Sequence, residues 1–235
     1  MTWLAYVLTA IAGIVDVAGY IVLGGIFTAH VSGDTVTAGV AFVHGNWTVA
    51  GILFGAVLLF VLGYLIGGSA IKLAILKRSA YWFSLGAAVE AIFLALFAGA
   101  HALFVGNAVS YVPAHWELIA LMACLSFAMG THNALLSNVE NFPVRTTFVT
   151  GMTVNFAREL LDWGFASLTG TPAGEHGRKA RLYAAVWTSF AVGGCCGGYL
   201  LTVVGTQLFV LPSIAMAALA VHAWRHPFTR IEPEI

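Results

Sequence analysis

Long apolar runs separated by short polar or glycine-rich stretches divide the chain into elements. The first run covers residues 3–25, with Asp16 near its middle. Residues 28–45 are too short and too polar to cross a bilayer alone. Residues 48–71 form a second run that carries Gly55, Gly63, Gly67 and Gly68, and Lys72, Lys77 and Arg78 then mark a basic loop. A third run at 81–104 holds Glu90, and an uncharged loop from Val105 to Ala114 with Pro113 near its end closes the first half. The second half repeats the plan with a run at 115–137, a mixed segment at 148–168 and a basic loop with Arg178, Lys179 and Arg181. Runs at 182–204 and 206–224 follow, then a polar tail, 225–235, with Arg225 and Arg230. Apolar runs longer than about 18 residues suit membrane-crossing helices, which satisfy their own backbone groups in lipid.

A short motif interrupts this pattern twice. Residues 28–36 read TAHVSGDTV and residues 146–154 read TTFVTGMTV. Upstream of each lies a matching signature, Gly13, Asp16 and Gly19 in the first copy and Gly130 and Asn133 in the second. Downstream, VLGYLIGG at 61–68 is answered by AVGGCCGG at 191–198. Three landmarks recur in the same order, so a duplicated unit is predicted, with its site where the two glycine-centred breaks meet.

Composition excludes a soluble domain. Of the 235 residues 60% are hydrophobic and only 9% charged, with a mean hydropathy of +0.91, whereas a soluble surface needs roughly 25% charged residues. The net charge of zero points to no nucleic-acid partner. Cys124, Cys195 and Cys196 lie in apolar stretches without zinc spacing. The N-terminus has no basic leader and runs directly into Asp16, so it is expected to be a retained span.

The basic loops set the expected orientation. Cytoplasmic loops carry the Lys/Arg excess, which places 72–80, 169–181 and the C-terminus on one inner side. Between the first two inner loops the chain must cross an even number of times, although three segments lie there. The segment at 148–168 holds Arg158, Glu159 and Asp162, and each charge at a helix centre costs about 2.5–3.5 kcal/mol. It is therefore expected to dip in and return, with 28–45 as its outer counterpart. The predicted fold is an all-α membrane protein of about six transmembrane helices plus two re-entrant or broken helices. It would form an inverted 3+3 repeat (1–105 and 115–224) with both termini cytoplasmic. That plan is frequent in transporters, whose sites lie near the midplane. The alternative is seven or eight full spans, which would leave a basic loop on the outside.

Non-helical backbone at membrane depth must be buried in protein or line water. Gly33 and Gly151 are expected to supply the turns, and Thr28, Ser32, Thr35, Thr146, Thr147, Thr150 and Thr153 the hydroxyls around them. A half-helix starting just after each glycine would offer free N–H groups to an anion or polar group. Asp16 is the sharpest candidate, because an acid at mid-membrane is functional by default. Gly13, Asp16 and Tyr20 share one helical face, as do Gly130, Asn133 and Ser137. Asp34 is placed to cap the helix beginning at Gly33. His30 and His132 flank the breaks, as packing residues or as a proton relay with Asp16. Glu90 would pair with a base such as Arg145 or sit protonated, and Arg158 would pair with Asp162. No two ligands have the helical spacing of a metal site, and no catalytic, nucleotide or phosphate motif implies an enzyme or a cofactor. The faces Gly63–Gly67, Gly193–Gly197 and Gly194–Gly198 suit close helix packing within the chain or in a homodimer.

The stretches GIVDVAGYIVLGGIFTAHVSGDTVTAG and GTHNALLSNVENFPVRTTFVTGMTVN resemble the YoaK-like family of bacterial inner-membrane proteins, domain of unknown function 1275. The resemblance covers nearly the whole chain and implies a multi-pass protein of the bacterial inner membrane, of a kind often labelled a permease. Two departures stand out. The family usually has Thr-Gly-Asn where this chain has Ser32, Gly33 and Asp34, and Gln where it has His132. The expected function is a transporter or channel for a small polar solute, with membrane lipid around it. The alternatives are a membrane module that binds a protein or lipid, and an intramembrane enzyme using Asp16, His30 and His132.

Overall fold

The computed structural model describes residues 2–106, 115–135, 138–139, 142–143 and 146–227. Pro113, Ser137, Arg145 and Arg230, with most of the polar tail, lie outside the described residues. The described chain is helices joined by short turns, with one ladder of two residues on each side. Its helices are α1 (Thr2–Val22), α2 (Val31–Val43), α3 (Trp47–Leu76), α4 (Trp82–Phe104), α5 (His115–Leu135), α6 (Val149–Thr169), α7 (Gly174–Val204) and α8 (Val210–Arg225). A 3-10 turn, Gly205–Phe209, joins the last two. The ladder pairs β1 (Asn138–Val139) with β2 (Phe142–Pro143) between α5 and α6.

Helix ends fall where the backbone can leave the right-handed region. Gly24 and Gly25, at φ 68 and 97, stop α1, and the Gly25 N–H donates to the Tyr20 carbonyl at 2.8 Å. The Asn46 side chain caps α3 by accepting from the Val49 N–H at 3.2 Å.

Among the described residues, five stretches are long and apolar enough to cross a membrane: Thr2–Val22, Trp47–Leu76, Trp82–Phe104, Trp116–Leu135 and Gly174–Arg225. The last contains both α7 and α8, separated at Gly205. Outward side chains such as Leu58, Leu65 and Ile66 on α3 and Leu103 on α4 are exposed and apolar, as lipid contact requires. This is a helical membrane protein.

At 28–45 and 148–168 the glycines do not stand where expected. Gly33 and Gly151 are not the breaks. Each is the third residue of its helix, and the non-helical backbone lies upstream, at 23–30 and, among the described residues, at 146–148. The reason is aromatic packing. A Cβ on Gly33 would meet the Phe27 ring at 3.0 Å, and one on Gly151 would meet the Phe148 ring at 2.0 Å. The glycines make room for a ring that folds back over the helix start. From there α6 runs unbroken for 21 residues, whereas α2 has only 13.

The core is built by helices distant in sequence. α1 packs along α7, α3 along α5, and α4 against both α5 and α8, while α2 lies on α3 and α6 on α7. Glycines line the two closest seams, Gly13, Gly193 and Gly197 between α1 and α7, and Gly63, Gly67 and Gly130 between α3 and α5. Such seams let backbones approach where side chains would hold them apart.

Candidate functional site

The starts of α2 and α6 share one cavity. It has a volume of about 370 Å³. Ala29, His30, Val31 and Ser32 line it from the first start, and Thr147, Phe148, Val149 and Thr150 from the second. Phe60 and Tyr64 of α3 and Asn133 of α5 complete the wall. His30 and Phe148 precede their helices with similar backbone angles (φ −90, ψ 68 and φ −85, ψ 63), and neither receives a side-chain cap. The Gly33 and Asp34 N–H groups turn back onto the His30 carbonyl at 2.9 and 3.2 Å, and the Met152 N–H onto that of Phe148 at 3.1 Å. It is the N–H groups ahead of them, on Val31 and Ser32 and on Val149 and Thr150, that stand toward the space.

Each helix start is tied to the preceding long helix by one side-chain bond. In the first copy His30 Nδ1 hydrogen-bonds Asp16 Oδ2 of α1. In the second, the Thr147 hydroxyl donates to Asn133 Oδ1 of α5 at 2.6 Å. Both bonds join residues fourteen apart. Asn133 is itself held by its amide, which donates to the Met129 carbonyl at 2.9 Å. One tie joins two ionisable side chains and the other two that are not.

Five expected site residues line the cavity: His30, Ser32, Asn133, Thr147 and Thr150. Asp16 is buried behind His30. Tyr20, 40% exposed, packs on the Phe27 ring at 4.4 Å instead. Thr35 and Thr153 are exposed and donate to the Val31 and Val149 carbonyls of their own helices, away from this wall. Asp34 does not cap the helix from outside. It sits buried in the first turn of α2 and accepts from the Phe27 N–H at 3.0 Å, so it fastens the loop back onto the helix. Thr28 and Thr146 are buried with their hydroxyls unpartnered.

Arg145, named as a possible partner of Glu90, lies outside the described residues, and Glu90 meets a base on α5. Its Oε1 lies 2.8 Å from His132 Nδ1, and both side chains are fully buried between α4 and α5. No hydrogen bond joins His132 to Asp16 or His30 among the described residues, so these three do not form a single cluster.

Arg158 donates to Asn155 Oδ1 at 2.9 Å rather than pairing with Asp162. Glu159 accepts from His176 Nδ1 at 2.8 Å, and one ligand atom each of Glu159, Asp162 and His176 lies within 4.8 Å of the others. Helical spacing could not reveal this group, because His176 comes from α7. Nearby on α7, Lys179 Nζ and Glu175 Oε1 form an ion pair at 2.7 Å.

Phe60 and Tyr64 were missed in the sequence. Their signal was present, since both lie in or beside the VLGYLIGG landmark, and Tyr64 stands where the second copy has Gly194. Phe190, the counterpart of Phe60, packs its ring 5.8 Å from that of His30.

The profile of the family DUF1275, described as a protein of unknown function, matches residues 4–222. The chain belongs to DUF1275. The match takes in both helix starts and every residue of the DUF1275 cavity named above. No curated protein and no solved structure matches the chain.

Proposed function

We propose that this DUF1275 chain is a transporter or channel for a small polar solute that binds between the starts of α2 and α6. One observation carries the reading: residues from both helix starts wall a single cavity of about 370 Å³. That volume lies in the range of about 300–1,000 Å³ typical of small-molecule sites. Non-helical backbone at membrane depth is tolerated where it lines such a space.

The wall favours a dipolar solute. The start of α6 has no acidic residue in its first turn, so its N–H groups suit a carboxylate or carbonyl oxygen. The start of α2 carries Asp34, with Asp16 behind His30, and suits a positive or hydrogen-donating group.

In this reading α1 to α4 and α5 to α8 are inverted copies, with α2 and α6 as re-entrant elements. Both termini would face the cytoplasm at a bacterial inner membrane. The reciprocal seams α1–α7 and α3–α5, the matched helix-start geometry and the two fourteen-residue ties support the duplication. Inverted repeats with interrupted helices at their interface provide alternating access in transporters.

The test is stopped-flow light scattering of proteoliposomes given an osmotic step of glycine, urea, glycerol, potassium formate or potassium nitrate. At least one solute, glycine first, should relax the vesicles faster than empty liposomes do. Thr150→Leu, which places bulk at the cavity wall, should slow that relaxation. Equal traces for protein-containing and empty vesicles across the panel would remove the proposal.

A further inference from the structure

Glu90 and His132 carry chemistry that the cavity does not use. They lie on α4 and α5, and both side chains are 0% exposed. Glu90 Oε1 and His132 Nδ1 are 2.8 Å apart, while Glu90 Oε2 and His132 Nε2 are buried without a partner among the described residues. A pair serving only to join two helices would be expected to satisfy its second oxygen and nitrogen, since an unmade buried hydrogen bond costs the full desolvation of that group. Here one valence on each side is left open.

Charge narrows what the pair can do. Sharing one proton, it is neutral overall, whether the proton sits on the carboxylate or on the imidazole. Losing that proton, or gaining a second, leaves a net charge in a fully buried site, which is tolerated only if a compensating group or water arrives. The other titratable groups on the helices packed here are His101 on α4, Tyr64 and Lys72 on α3, His115, Glu117 and Cys124 on α5, and His222 and Arg225 on α8. Tyr64, Lys72, His222 and Arg225 are exposed, Glu117 and Cys124 are half-buried, and His101 is buried eleven residues along α4 from Glu90, about 16 Å away at the helical rise. Within the helical pair, then, the proton balance is set by Glu90 and His132 themselves.

His132 is also one residue along α5 from the cavity wall. It immediately precedes Asn133, whose amide oxygen holds Thr147 at the cavity wall. Any movement of α5 that frees Thr147 also moves His132. We infer that Glu90 and His132 form an exchangeable proton site inside the membrane, loaded and emptied when α4 and α5 part enough to admit water. Uptake places a proton on the pair from one aqueous side, and release returns it to water. Ionisable residues in this position are usual in proton relays of transporters. Only in making the proton a coupling ion does the inference rest on the transport reading.

Infrared difference spectroscopy of the full chain in lipid, between acid and alkaline pH in light and heavy water, tests it directly. A carboxylic C=O band should change with pH, shift in heavy water, and vanish in Glu90→Gln. In His132→Asn it should remain but move in frequency and in the pH at which it changes. That second variant keeps the test decisive if Glu90→Gln does not fold. A carboxyl region that stays constant with pH, or a changing band indifferent to both substitutions, overturns the inference. If the band behaves as expected while no solute moves in liposomes, the proton site stands and the transport reading falls.

Discussion

Gly130 on α5 rests directly on the backbone of Phe60 on α3. A Cβ at this glycine would stand 2.2 Å from the Phe60 carbonyl oxygen and 2.7 Å from the Tyr64 nitrogen. The other seam repeats the relationship, with Gly13 facing the Phe190 oxygen at 2.2 Å. Neither neighbour can yield, because both are helix backbone. Gly130→Ala and Gly13→Ala should each cost about 1–3 kcal/mol through forced separation of the helices. Gly39→Ala and Gly51→Ala, with nothing within 4 Å, should be neutral or gain up to about 1 kcal/mol of helix propensity. Thermal unfolding in detergent reads both, and equal melting temperatures across the four variants would contradict the packing.

Thr147 holds Asn133 by a 2.6 Å bond at a site where Asn133 is only 7% exposed. Thr147→Val keeps the shape but strands the amide oxygen, at about 1–3 kcal/mol for an unsatisfied buried acceptor. Thr147→Ser restores the donor and should recover most of that loss. A hydroxyl important only for its bulk would give the reverse order, so comparing the two melting temperatures decides between them.

Much of this arrangement was legible in the sequence because glycine and charge have few uses in lipid. The landmarks around Gly13 and Gly130, Gly33 and Gly151, and Gly63 and Gly193 locate the seams and the helix starts without any coordinates. The position of the break relative to Gly33 and Gly151 was not legible, because it depends on the rings of Phe27 and Phe148 folding back over those glycines. The partner of Glu90 was hidden for a similar reason. His132 meets it across two helices 42 residues apart, and periodicity within a helix cannot register two helices against each other. The same limit concealed His176 beside Glu159.

Orientation is open to direct labelling. In a variant lacking Cys124, Cys195 and Cys196, single cysteines at Ser79, Gly106 and Arg178 should divide by side. Those at Ser79 and Arg178 should react only when a membrane-impermeant maleimide reaches the cytoplasmic face, and that at Gly106 only from outside. Ser79 is preferable to Arg78, whose φ of 55 is strained for a cysteine. Labelling of the Ser79 or Arg178 position from outside would remove the inverted arrangement.

Asp16 and His30 permit a sharper experiment, because the second copy shows what a neutral tie looks like. Asp16 is 3% exposed and its Oδ1 has no partner, while His30, 29% exposed, reaches the cavity wall. His30→Ala would leave a carboxylate buried and unpaired. Losing one partner of a fully buried pair costs about 3–5 kcal/mol, and the partial exposure of His30 reduces this to on the order of 2–3 kcal/mol. Asp16→Asn should be far milder, since Asn133 occupies the matching place with its bonds satisfied. The double variant should therefore be more stable than His30→Ala alone, although removing a second interaction would ordinarily make matters worse. Such a crossing in a double-mutant cycle of melting temperatures arises from an uncompensated charge and not from lost packing. If the two losses simply add, Asp16 is not held as a charged partner of His30.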